Sequence, residues 1–341
     1  MDHDAVVLEN RHLRVLVSLT RGGEILELRD KRLDLDVLWH AEAALPATPF
    51  VPTVNRPEGN YLDHFGGGWQ EIFPSGGPPT TVAGAAFGQH GEVALLPWRC
   101  EVEIDSPECL RVRLWTLCRR YPFLVERWLM VRQDEAALLW AGRATNRSPM
   151  DLNVMWGHHI VFGPPFVSST LRLLLPPGTP VRAPDDLVVE SFHPGEQTWP
   201  ALARDGTSSE GVASIPEAQN HLFVGPLTCG HAALVNDALG LGVALTWERQ
   251  ELPYVWCWSV NAGGRAYPTY GMETLLAVEP FTSPFMALPD ASSHGLAPRV
   301  VGHGSLAHTV TCTLGTLRDT EDAALRAFEV ASAAERAPRQ P

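Results

Sequence analysis

The chain has 341 residues, 45% hydrophobic and 19% charged, enough apolar material for a large core and too much for a disordered chain. Its 26 basic residues face 39 acidic ones, and the net charge of −13 argues against a general binder of nucleic-acid backbones. Lys31 is the sole lysine and sits in the turn-like "ELRDKRLD", which leaves Schiff-base chemistry without a suitable amine, and no G-K-[S/T] triplet exists for a phosphate loop.

The opening "MDHDAVVLENRH" is acidic and lacks an apolar h-region, so a signal peptide is not expected. Strands follow in quick succession. "AVVLEN" and "LRVLVSL" flank a turn as an opening hairpin, and "RGGEILELRD" and "LDLDVLW" continue it. The stretch from Ala43 to Pro57 reads as a long loop. Four further strands come from "WRCEVEID", "CLRVRLWTLC", "LVERWLMVRQ" and "ALLWAGRATN", each separated from the next by turn residues. In the second of these Arg111 and Arg113 alternate with Leu110, Val112 and Leu114, the period-2 pattern of a strand with one solvated face. Pro176 to Gly211 reads as another long loop, and "HAALVNDALGLGVALTWE" as a hairpin turning at Asn236 and Asp237. The 29 glycines and 29 prolines suit many turns between short strands. One helix is expected, over 319–336, with Asp319 or Thr320 as its cap and Ala324, Leu325 and Phe328 on its apolar side.

These elements predict an all-β fold, a large antiparallel β-sandwich with a short C-terminal helix, in one domain spanning 1–341. The six cysteines form no C-x-x-C, which leaves a zinc ribbon or thioredoxin-like motif without its ligands. No apolar run reaches transmembrane length. The expectation is a cytoplasmic protein with reduced thiols, no membrane partner and no nucleic-acid partner.

Four stretches depart from ordinary strand sequence: "YLDHFGGGWQEIFPSGG", "FGQHGEVALLPW", "NVMWGHHIVFG" and "LLAVEPFTSPFMALPDA". Each joins a titratable group to Gly, Pro or an aromatic ring, a mixture that suits a cleft wall. Any one histidine among them is explained equally well by a hydrogen-bonded place in the core. Glu279 is different, because an acid within "LLAVEP" is costly to bury unless it is paired or used, and burial would raise its pKa toward that of a base working near neutrality. In "GHHIVF" the adjacent His158 and His159 must point to opposite faces of a strand, so one can be structural while the other faces a cavity.

In order and spacing these stretches resemble the aldose 1-epimerase (galactose mutarotase-like) superfamily over nearly the whole chain. His90-Gly91 matches its first His-Gly. "NVMWGHHIVF" matches its H-x-x-F strand through His159 and Phe162, and "AVEPFTSPFMALPDA" matches its late acid through Glu279, followed by Pro289-Asp290. The resemblance implies the family's supersandwich, a small-molecule sugar as partner, and an isomerase that needs neither metal nor cofactor. It implies Glu279 as base, His159 as acid and His90 as the group that orients the ring oxygen. Where the family carries Arg and Asn before the first histidine, this chain has "DHFGGGWQEIFPSGG". The sugar contacts implied there are therefore Asp63, His64, Trp69, Gln70 and Glu71; Trp98 and Trp258 are further candidates for stacking on the sugar, His158 for the rim if it is not structural, and Arg265, in "NAGGRAYPTYG", for the cleft rim.

Other readings compete. A non-catalytic carbohydrate-binding protein of the same fold would use the same residues. A cupin-type metal isomerase could draw on His90, Glu92, His158, His159 and Glu279, but lacks the H-x-H spacing. Glu71 and Glu279 could be a glycosidase pair. "GHGSLAH" lacks the G-x-S-x-G elbow of a serine hydrolase.

Overall fold

The structure, a computed structural model, describes residues 4–41, 59–183, 197–200, 218–265, 267 and 269–336. Two large antiparallel sheets dominate it. The first has 11 strands. The opening strands Ala5–Glu9, Leu13–Ser18 and Ile25–Asp30 lead to Trp69–Ile72, Gly157–Phe162, Thr274–Phe281, Tyr254–Asn261 and Ala218–Val224 in spatial order. Pro180–Arg182 and Gln197–Thr198 finish that row, and Leu35–Asp36 pairs with Ile25–Asp30. The second sheet has eight strands, in the order Leu171–Leu174, His231–Asn236, Leu241–Trp247, Ser305–Thr316, Ala137–Asn146, Phe123–Arg132, Cys109–Leu117 and Arg99–Asp105. The two sheets stack as a sandwich over one apolar core to which both contribute, for instance Val15, Ile160 and Val278 from the first and Val112, Leu129 and Leu234 from the second.

The elements expected from alternation form where the pattern places them. The four strands between Arg99 and Asn146 lie side by side in chain order, with registers such as Val112 opposite Leu129 and Leu129 opposite Trp140. The hairpin at Asn236 closes by pairing that residue with Leu241. Two expectations need amendment. The stretch Pro176 to Gly211 contains the short strands Pro180–Arg182 and Gln197–Thr198, while 184–196 and 201–217 lie outside the described residues, as does Ala43 to Pro57. The C-terminal helix runs Leu317–Arg336, and its cap is Thr316 rather than Asp319 or Thr320. The Thr316 hydroxyl accepts the Asp319 N–H at 3.2 Å and donates to the Asp319 carboxylate at 2.8 Å, which satisfies one of the free N–H groups of the first turn. Ala324 and Phe328 then pack the helix onto Leu174, Ala233 and Val235 of the second sheet. Among the described residues, no helix is long and apolar enough to cross a membrane.

Between the sheets lies a buried polar layer. Arg127 of the second sheet donates to Glu71 of the first at 2.9 Å, and Trp156 donates to the other Glu71 oxygen at 2.8 Å. The guanidinium lies over the Trp98 ring at 4.4 Å and also donates to the carbonyls of Gly22 and Gly23. An ion pair with both partners about 1% exposed is tolerable only because its donors and acceptors are matched this fully.

Candidate active site

The strand Gly157–Phe162 separates the two adjacent histidines as strand geometry requires. His158 lies opposite Glu71 and points between the sheets. Its Nδ1 accepts the Trp69 indole N–H at 3.0 Å, so its proton is on Nε2, 2.8 Å from His308 Nε2. Burial, with His308 beside it, holds His158 well below the usual histidine range, and burial lowers His308 to about 3. Both rings are neutral and bonded. They are core residues.

His159 points the other way, into a cavity of about 290 Å³ on the outer side of the first sheet. Register builds the wall. Ile160 pairs with Val278 and Gly157 with Phe281, which puts His159 across from Glu279. Glu279 pairs in turn with Trp256, and Trp256 with Phe223, while Trp258 pairs with His221. Side chains directly opposite one another share a face, so His159, Glu279, Trp256, Trp258, His221 and Phe223 all line the cavity. Tyr61 and Phe65 close it from one side, and Gln89, His90 and Met286 from another.

His90 reaches the cavity from a turn with strained backbone. Its φ is +61, unusual for a residue with a Cβ, and Gly91 follows at +78. A Cβ on Gly91 would meet the Phe73 carbonyl oxygen at 2.3 Å, so the turn requires glycine. The His90 Nδ1–H donates to the Gly76 carbonyl at 3.2 Å, which leaves Nε2 as the acceptor, 3.4 Å from the Gln89 amide nitrogen. Its ring lies 5.4 Å from that of His159 and edge-on to Tyr61 at 4.4 Å.

The cavity's polar atoms are desolvated and short of partners. His159 Nε2 stands 3.8 Å from Glu279 Oε1, beyond hydrogen-bond range. His159 Nδ1, Glu279 Oε2 and Trp258 Nε1 are buried with no hydrogen-bond partner among the described residues. Burial raises the Glu279 carboxyl well above its usual range. Burial, then the neighbouring His90 and His221, holds His159 well below its own. His90 is lowered to about 4, by burial first. Both shifts favour the uncharged forms, a carboxyl that can give a proton beside an imidazole that can take one. An oxygen about 2.8 Å from both groups would bridge the 3.8 Å gap.

Of the residues singled out by sequence, His90, His159, Glu279 and Trp258 line the cavity. The others do not. Trp69, Glu71, His158 and Trp98 point into the inter-sheet layer, and the Trp98 indole donates to the Val93 carbonyl at 3.1 Å. Gln70 faces the cavity side of its strand, opposite His159, but lies behind Tyr61, which donates to it. His64 contributes its carbonyl to Arg21, and Arg265 is exposed away from the cavity lining. Sequence reasoning passed over Tyr61, Phe65, Gln89, His221 and Trp256. For His221 a signal existed: Gln219, His221 and Phe223 alternate with Leu222 and Val224.

A family model described as a domain of unknown function (DUF4432) matches residues 3–314. A search of curated protein sequences returns no match. Solved structures with the same fold include a candidate aldose 1-epimerase from Klebsiella pneumoniae, 17% identical with a TM-score of 0.72, covering 94% of this chain and 81% of that one. A galactose mutarotase related enzyme from Lactobacillus acidophilus is 18% identical with a TM-score of 0.63, covering 92% and 98%. A galactose mutarotase-like protein from Lactobacillus casei is 14% identical with a TM-score of 0.56, covering 92% and 100%. At these identities the likeness establishes the fold. The chain belongs to the DUF4432 family and has the galactose mutarotase-like sandwich.

Proposed function

We propose that the protein is an isomerase that interconverts the α and β anomers of a free aldose. The observation that carries this reading is the His159–Glu279 pair, 3.8 Å apart in an aromatic-walled cavity where His159 Nδ1, Glu279 Oε2 and Trp258 Nε1 await partners. Buried polar groups without partners are costly, and a polyhydroxylated ligand would supply them. The rings of Trp256, Trp258 and Phe65 offer flat apolar faces of the kind a pyranose presents in return.

The chemistry follows from the pair. His159 takes the proton of the anomeric hydroxyl, the electron pair freed from that O–H bond forms the carbonyl at C1, and the bond from C1 to the ring oxygen breaks with its pair leaving on that oxygen. Glu279 gives its proton to the departing ring oxygen. Rotation about C1–C2 exposes the other carbonyl face. On closure the carboxylate retrieves the ring-oxygen proton and the imidazolium returns its own to the new anomeric oxygen. The family resemblance assigns Glu279 as base and His159 as acid. That assignment exchanges the two positions, with Glu279 at the anomeric hydroxyl and His159 at the ring oxygen, and it runs through the same steps when the shared proton starts on the imidazole. His90, whose Nε2 accepts, orients a substrate hydroxyl.

The test is saturation-exchange NMR on a panel of aldoses and their phosphates, with wild type beside Glu279→Gln. Accelerated anomer exchange that vanishes in the variant supports the isomerase. Sugar binding in both proteins, read from tryptophan fluorescence, with no acceleration in either identifies a carbohydrate-binding protein instead.

A further inference from the structure

Tyr61 is buried, and its hydroxyl donates to Gln70 Oε1. The Gln70 amide is itself oriented, because its Nε2 donates to Glu24 Oε2 at 2.7 Å. Glu24 is fully buried and held by Arg21, whose Nε donates to Oε1 at 2.8 Å. Arg21 also donates to the His64 carbonyl, tying down the segment that carries Tyr61. A chain of four side chains thus runs from the interior to the cavity wall and fixes the direction of every proton along it. Burial raises the Glu24 carboxyl overall against the lowering by Arg21 and Gln70, and its acceptor role rests on geometry: Arg21 and Gln70 both aim N–H groups at its two oxygens.

We propose that the Tyr61 oxygen is a specificity-determining acceptor, which takes a donated hydroxyl proton from the ligand because its own proton is committed to Gln70. This rests on reading the cavity as a sugar site. A buried acceptor left without a donor is penalised, so a ligand lacking that one hydroxyl is rejected. Fluorine in its place is rejected too, since it cannot donate. Gln70 is a positioning residue: it acts through Tyr61 and does not line the cavity.

The experiment uses monodeoxy and monofluoro analogues of whichever parent sugar wild type turns over or binds best. Wild type is expected to discriminate against both analogues at one ring position by about 10- to 100-fold. Tyr61→Phe, which keeps the ring, brings the ratio at that position below about 3-fold and leaves the other positions unchanged. Gln70→Leu frees the phenol proton, so the fluoro analogue improves over the deoxy one at that position alone. The assignment fails if Tyr61→Phe leaves all parent-to-deoxy ratios unchanged. It also fails if wild type accepts the fluoro but not the deoxy analogue, which would mean a protonated Glu24 has turned the amide over and Tyr61 donates. Wild type that neither binds nor turns over any sugar removes the carbohydrate reading itself, and this one with it.

Discussion

Replacing Glu71 with Gln separates the core from the site. Glu71 was expected at the sugar, yet its carboxylate receives Arg127 at 2.9 Å and Trp156 at 2.8 Å between the sheets. The substitution keeps the shape and removes the charge, so one amide oxygen must serve either Arg127 or Trp156 while the amide NH2 opposes the other, and the guanidinium, about 1% exposed, keeps the Gly22 and Gly23 carbonyls and the Trp98 and Trp140 faces. Removing one partner of a buried pair costs about 3–5 kcal/mol. Arg127 keeps its carbonyl bonds, and the Glu71 carboxyl is itself raised by burial, so the lower end is expected. At about 2.1 cal/mol/K per residue, the 341-residue chain has an unfolding entropy near 0.7 kcal/mol/K, which converts about 3 kcal/mol into a fall of about 4 °C in Tm. Differential scanning calorimetry reads the fall, and sugar titration at 20 °C should give unchanged affinity. An unaltered Tm with a tenfold loss of affinity would refute the placement of Glu71 in the core.

Three further outcomes are expected. His231 is lowered to about 4 by burial against Phe328 of the C-terminal helix, so it is neutral when folded and takes up a proton only on unfolding below its ordinary pKa of about 6.5. Stability from this group is therefore lost as pH falls from about 6.5 to 4, and the gap between wild type and His231→Leu should shift by about 2 kcal/mol in the variant's favour between pH 7.5 and 5; a pH-independent gap in urea titrations would count against it. Glu279 has the opposite sign. Its raised carboxyl favours folding below about pH 4.5 and loses that contribution as pH rises through the folded value, so Glu279→Gln should gain on wild type in stability from pH 5 to 8 while losing turnover. Gly91→Ala would place a Cβ 2.3 Å from the Phe73 carbonyl oxygen at a φ of +78, costing about 1–3 kcal/mol and displacing His90, and anomer exchange should fall with little change in far-UV circular dichroism.

Much of the fold was legible because alternation and turn residues are local signals. The four strands from Arg99 to Asn146 needed no long-range information to be recognised. The site was legible where a polar residue interrupts an apolar run, as at Glu279 and His159. It was not legible where the answer depended on which face of a sheet is covered. "GWQEIF" alternates cleanly, but alternation does not say that Trp69 and Glu71 meet the second sheet while Gln70 meets Tyr61. His221 enters the site only because Ala218–Val224 pairs with Tyr254–Asn261 across a long connection. The helix cap shows a smaller version of the same limit. Thr316 belongs by pattern to the last strand and by hydrogen bonding to the helix that follows.

Adjacent histidines also show what distinguishes a core group from a site group. Burial does not, since it lowers both rings. Exposure does not, since His158 is 0% and His159 4% exposed. The difference is in the partners. His158 accepts from Trp69 through one nitrogen and meets His308 through the other, so its desolvation is offset inside the protein. His159 has no partner at Nδ1 among the described residues and an acid just out of reach at Nε2. Glu279 and Trp258 share that deficit in the same cavity. One isolated orphan is a local cost of packing. Three on residues that line one cavity, beside a core histidine that is fully bonded, are the observation on which the proposed sugar site rests.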